Sequence, residues 1–221
     1  MRPIFQAIAA VAALASPASA QELDRSPLAR GDVQAVIGWQ NLHEPQPSDS
    51  LGSKNNWLNS IVHGAVGAGW YWTDHLKTAI DFGGGTSGHQ YRYNQIIAGG
   101  TTTYSESLLH VRETNLGISQ QYQFFRNEFF HPHVGAGIDI ARKYATEAYS
   151  AANVVDNVTH APRAPIGPHT ESESRTLVRP FGELGFKAYM SRRAFFTGDG
   201  RVRFRGGIDE IRFRVGFGVD F

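Results

Sequence analysis

The chain contains no cysteine in 221 residues. Disulfides cannot hold it together, and thiolate nucleophiles and cysteine-ligated metals are excluded. It also lacks an excess of either charge, with 21 basic against 20 acidic residues. No global field therefore draws it to nucleic acid or to acidic partners. Long apolar runs are missing as well. After residue 20 no stretch of 18 apolar residues occurs, so no segment there is fit to cross a membrane as a helix.

What the amino terminus does have is an export signature. Met1-Arg2-Pro3 is a short basic start, Ile4 to Leu14 is almost wholly apolar, and Pro17-Ala18-Ser19-Ala20 supplies small residues where a signal peptidase cuts. The apolar run falls well short of the roughly 20 residues of a spanning helix. Residues 1–20 thus read as a cleaved signal peptide, 21–31 as a short periplasmic segment, and 32–221 as one domain.

The carboxyl terminus carries the strongest pattern. In Ile211-Arg212-Phe213-Arg214-Val215-Gly216-Phe217-Gly218-Val219-Asp220-Phe221 every odd position is large and apolar, and every even position is charged or Gly. Successive side chains of a strand point to opposite faces, so this segment is one strand with two very different faces. Similar alternation marks eight segments, at about 32–42, 57–72, 76–86, 108–124, 130–144, 174–190, 194–205 and 208–221. The count is even, as single-chain bacterial barrels require. A closed barrel is also the one route into a membrane that satisfies every backbone group without helices. The fold class is therefore all-β: an eight-stranded antiparallel up-and-down transmembrane barrel.

The connections alternate in length. Thr73-Asp74-His75, Arg126-Asn127-Glu128 and Ser191-Arg192-Arg193 read as short turns. The stretches 43–56, 87–107 and 145–173 read as long loops, and Gly206-Gly207 as a tight one. Short periplasmic turns and longer outward loops are the asymmetry of such barrels. Loop 145–173 holds Pro162, Pro165 and Pro168 among small polar residues, which predicts a mobile segment. Gly and aromatic residues precede each short turn, as in Val66-Gly67-Ala68-Gly69-Trp70-Tyr71-Trp72. Aromatic residues there suit a membrane-interface girdle.

Charge decides which face meets lipid. An Arg on the lipid face near mid-membrane costs about 2–4 kcal/mol, so Arg212 and Arg214 must turn inward. The same parity sends Phe196, Val202, Phe204, Val178, Leu184, Phe186, Val134, Ile138, Ile140, Ile80 and Phe82 outward. The inward set is then Lys77, Asp81, Glu113, Asp139, Arg179, Glu183, Lys187, Asp199, Arg201, Arg203, Arg212, Arg214 and Asp220, with Arg205 also assigned inward. Eight strands leave an interior just wide enough for side chains to fill. These mixed charges should pair into a plug rather than line a wide channel. Pro180 sits awkwardly inside the sixth strand, because a closed barrel has no edge to hide its missing N–H. A bulge, or a strand rising above the membrane, would resolve it.

With its signal peptide, its Gly-plus-aromatic hairpins, His133-Val134-Gly135-Ala136-Gly137-Ile138 and its terminal Val215 to Phe221, the chain resembles the small Gram-negative outer-membrane β-barrel family, the porin-like and opacity-protein-like group. The resemblance covers about 32–221. It implies residence in the outer membrane, contact with outer-membrane lipid and lipopolysaccharide, and a monomer with no nucleic-acid partner. It further implies that Phe221 acts as the signal read by the barrel-assembly machinery. It says little about function, since function lives in sites grafted on folds.

Three roles are open. The leading one is structural or surface-interacting, a narrow porin-like pore is a variant of it, and a lipid A-modifying hydrolase is the enzymatic alternative. A soluble lipocalin-like binder would need a polar exterior, which the terminal strand denies. The hydrolase would need a Ser activated by a His and an acid, and barrel deacylases carry His-x-Ser-Asn on one strand face. Here His131-Pro132-His133 lacks the Ser, and Ser107 and His110 fall on opposite faces of a strand. The nine His residues show no zinc spacing, either at His131 and His133 or at His160 and His169. Gly83-Gly84-Gly85-Thr86-Ser87-Gly88 lacks the Lys of a phosphate loop. No catalytic, cofactor or metal residue is assigned.

Overall fold

The computed structural model describes residues 30–45, 56–124 and 129–221. The signal peptide at 1–20, most of the 43–56 loop and the Arg126-Asn127-Glu128 turn lie outside the described residues. Those described hold ten strands and no helix. They are β1 (Gly31–His43), β2 (Trp57–Tyr71), β3 (Leu76–Gly85), β4 (Gly88–Ala98), β5 (Thr101–Gln123), β6 (Phe130–Tyr149), β7 (Asn153–Asp156), β8 (His169–Tyr189), β9 (Ala194–Phe204) and β10 (Ile208–Asp220).

Eight of them close a ring. β1, β2, β3, β5, β6, β8, β9 and β10 pair antiparallel in turn, and β10 returns to β1 from Asp32↔Asp220 to Leu42↔Glu210. The seam is tight. A Cβ on Gly216 would lie 2.0 Å from the Ala35 carbonyl oxygen, and one on Gly38 would lie 1.8 Å from that of Phe213. Only Gly permits so close an approach of two backbones.

The other strands lie beyond the ring and correct the sequence reading. The stretch 87–107 is a hairpin, not a loop. β4 pairs with β5 from Gly88↔Val111 to Ala98↔Thr101, and Gly99 and Gly100 take φ +58° and +78° between them. Two positive φ values in a two-residue connection make a primed turn, whose twist suits a hairpin. The stretch 145–173 likewise carries strands and bridges where a loop was expected. Its first five residues end β6 and its last five begin β8. Between them β7 pairs with β5, and bridges join Ala152 to Ile166 and Val155 to Pro162. Asp156 Oδ1 accepts the amides of Val158 and Thr159, each at 2.9 Å.

Pro180 causes no bulge in the ladder with β6. The β8–β9 ladder begins at Phe181↔Arg203, so Pro180 stands at the first position where β8 has a neighbour on one side only. A register shift between Ile208 and Glu210 turns Asp209 and Glu210 both inward, and both are buried. Arg205, assigned inward by parity, is exposed at the β9–β10 turn and lies 3.5 Å from Asp209.

The outer wall is apolar. Trp39, Phe82, Phe213, Phe217 and Phe221 are each 57–63% exposed, which fits an apolar solvent and not water. Near the Phe221 end of the barrel, rings meet from strand to strand. Phe130–Phe186, Phe186–Phe196 and Phe196–Phe217 have centroids 5.3, 6.0 and 5.4 Å apart. These rings lie at the short-turn rim, where the sequence predicts a girdle.

Candidate functional site

Of the fourteen charged residues that parity assigns inward, the interior holds thirteen, twelve of them buried and Asp199 with its side chain only 5% exposed, and Arg205 is the exception. They form three tiers, counted from the Phe221 end.

In the first tier two cations share two acids. Asp32 Oδ2 accepts from Lys77 Nζ at 2.7 Å and from Tyr71 Oη at 2.9 Å. Lys187 Nζ donates to Asp32, to Tyr71 Oη at 2.6 Å and to Asp220 Oδ1 at 3.1 Å. Tyr189 donates to the other Asp220 oxygen. The Lys187 ammonium also lies 3.8 Å from the centroid of the buried Phe195 ring, which adds a cation–π attraction where water is excluded.

The second tier centres on Arg201. Its two terminal nitrogens donate to Asp81 at 3.3 and 2.9 Å, and Nη2 also reaches Glu183 at 2.9 Å. Arg214 joins Asp81 at 3.1 Å to Asp199 at 2.9 Å. Gln121 Nε2 completes Glu183 at 2.8 Å. Arg201 packs over the Phe181 ring at 4.0 Å.

The third tier is the densest. Arg179 donates to Glu113 at 2.8 Å, to Asp209 at 2.8 Å and to Asp139 at 3.3 Å. Arg203 donates to Asp139 at 2.7 Å and to Glu210. Arg212 lies 2.8 Å from Glu210, and Asn115 links Asp139 to His63 at 3.0 and 2.9 Å. Above it sits a small apolar layer of Leu42, Leu58, Ile61, Leu109 and Val111. Beyond that, Lys143 meets Glu44 and Arg92 meets Glu147.

Planar guanidinium forks suit this space because each can hold two or three carboxylates at fixed angles. Taking such charges out of water is costly, and the pairing compensates only when geometry is good. The void between the first two tiers measures about 10 Å³ and is bordered by Lys77, Gln121, His133 and Arg214, room for about one water. Among the described residues no group of three or more His, Cys, Asp or Glu is placed to hold a metal ion.

Parity reasoning passed over several interior groups. Asp32 opens its strand next to the segment boundary, and Glu210 is hidden by the register shift. His63, His133 and Lys143 are buried, although their neighbours in sequence gave them no charge partner. Phe195 was readable by the same parity that assigns Asp199, Arg201 and Arg203 inward. Ser107 and His110 do lie on opposite faces. Ser107 donates to Glu147 inside at 2.5 Å, while His110 pairs with His89 outside, Nδ1 to Nδ1 at 2.8 Å.

A family profile described as outer membrane protein beta-barrel domain matches residues 7–221. Among solved structures, Neisserial surface protein A is 15% identical, with a TM-score of 0.50, over 86% of this chain and 97% of that one. Ail, the attachment invasion locus protein of Yersinia pestis, is 8% identical with a TM-score of 0.47 over 87% and 99%. OprG from Pseudomonas aeruginosa is 14% identical with a TM-score of 0.45 over 87% and 97%. Identities this low speak to fold alone. No curated protein sequence matches the chain.

Proposed function

As the chain belongs to the outer membrane protein β-barrel family, we propose that it is a closed barrel that carries a stiff sheet outward for contact at the cell surface. The observation behind this reading is a mismatch in strand length. β5, β6 and β8 have 23, 20 and 21 residues, whereas β9 and β10 have 11 and 13. A membrane strand needs only about 9–11 residues, so three neighbouring strands, with β4 beside them, continue far past the lipid. From His169 to Pro180, β8 has a ladder on the β6 side alone. Such an edge offers unpaired backbone donors and acceptors to an incoming strand.

The tiers support the closed interior, since a solute would have to separate several buried ion pairs to pass. The lipid A hydrolase alternative fares worse, because Ser107 bonds Glu147 inside the barrel and His110 points outward. Mass spectrometry of lipid A from cells with and without the protein tests that alternative, and altered acyl chains would restore it.

The surface reading is tested by replacing residues 91–108 with a two-residue Asn-Gly turn. The shortened protein should still change its gel mobility on boiling, as a folded barrel does. Cells bearing it should adhere less to immobilised extracellular-matrix proteins and to cultured cells than those bearing the full chain. Equal adherence by the two strains would remove the surface-contact role and leave an envelope component.

A further inference from the structure

We infer that the outward wall of β5 and β6 carries a binding patch for the phosphate groups of outer-leaflet lipid, built on Arg112 and Arg142. Outward side chains on this wall come in cross-strand rows. The row Leu116↔Ile140↔Val178 is apolar. The next row outward is Thr114↔Arg142↔Thr176, and the one after it is Arg112↔Tyr144↔Ser174. The change from hydrocarbon to cation is thus complete within one step.

The height of that step is set by the wall itself. On β6 the apolar outward run goes from Phe130 to Ile140. Ten residues at about 3.3 Å each, tilted by roughly 40°, give about 25 Å, the height of a barrel's apolar band. Arg142 lies two residues further along, about 5 Å beyond the hydrocarbon, where lipid headgroups begin. Tyr144, beside it, is a residue type suited to that interface.

Among the described residues neither arginine is paired with a carboxylate. Arg142 donates to the hydroxyls of Thr176 at 3.2 Å and Ser174 at 2.7 Å, and its guanidinium lies 5.7 Å from the Tyr144 ring. These contacts hold the fork in place without neutralising it. Arg112 is exposed. Its sequence neighbour Glu113 points the other way, into the lumen, where Arg179 holds it. The third row, His110↔Thr146↔Ser172, adds no acid. An exposed pair of guanidiniums at headgroup height, flanked by hydroxyls, matches a phosphate monoester on a lipid, which accepts two parallel hydrogen bonds from an Arg fork.

The inference rests on the barrel's place in the membrane and not on the surface-contact reading, so adhesion data leave it standing. Full-length protein folded in zwitterionic detergent is titrated with bisphosphorylated lipid A, and bound lipid is counted by native mass spectrometry. The wild type should bind it, and R112A/R142A should bind about ten-fold more weakly or worse. R112K/R142K, which keeps the charge, should retain part of the affinity. R112A alone removes an exposed side chain with no bond among the described residues and secures the result if the double variant is unstable; it should weaken binding by a few fold. Dephosphorylated lipid A should not bind the wild type. Equal binding by wild type and both alanine variants, equal binding of the dephosphorylated lipid, or displacement by millimolar inorganic phosphate would each overturn the assignment.

Discussion

At the scale of single residues, the interior is governed by what a buried arginine requires. Arg179 faces Glu113, Asp139, Asp209 and Glu210 within 3.7 Å. Replacing it by Met keeps most of the volume but leaves four acids to the buried Arg203 and Arg212 and to Arg205 at the rim. We expect R179M to lose about 3–5 kcal/mol, read from the urea midpoint of the micelle-bound barrel. An unchanged midpoint would show that the tier contributes nothing net. The seam makes a second demand. G216A places a methyl group 2.0 Å from the Ala35 oxygen, and the overpacking should cost about 1–3 kcal/mol in the same assay. The arginines were legible in the sequence because parity and the cost of charge in lipid agree on them. Glu210 was not, because an extra residue resets parity without leaving a mark that composition reveals. Asp32 shows a different failure: its parity was plain, but a residue at the edge of a segment reads as boundary rather than interior.

At the scale of elements, alternation found the staves where one side was apolar and failed where neither was. β4 reads Gly88-His89-Gln90-Tyr91-Arg92-Tyr93-Asn94. Its period is still two, with Gln90, Arg92 and Asn94 buried on one side, but above the membrane the outward face need not be greasy. The last five residues of β6, 145–149, and the first five of β8, 169–173, escaped notice for the same reason. The Pro-rich 150–168 stretch owes its order to local polar contacts that hydropathy cannot show. Asp156 is central there. The amide of Thr159 first, then the Arg163 guanidinium and the Val158 amide, hold its carboxyl well below the usual carboxylate range. A depressed value means that its contribution is present above about pH 4 and fades as pH falls through the folded value. D156A should therefore speed amide exchange and proteolysis between 150 and 168 at neutral pH while leaving the barrel's boiling shift intact. Lowering the pH well below 4 should bring the wild-type loop towards the variant. A loop equally protected in both proteins at neutral pH would place its order in β7 pairing alone.

At the scale of the whole molecule, closure is a matter of redundancy. A conducting path must pass three tiers and an apolar layer, and each tier is tied across the barrel by side chains from at least three strands. Arg201 of β9, for example, bonds Asp81 of β3 and Glu183 of β8. Wild-type protein in planar bilayers should hold the baseline current. Phe195 offers the sharper test. It is fully buried beneath Lys187 and belongs to the first tier only. F195A removes a ring from the lumen and should cost about 3–5 kcal/mol, widening the barrel near its termini. If the tiers act independently, F195A still fails to conduct, because the Arg201 and Arg179 tiers above it are untouched. Steady ohmic steps from a folded F195A barrel would mean that the upper tiers move aside for ions and that the Lys187 tier alone is the gate. The narrow-pore role would then regain its place, since loosening one tier would be enough to open the path.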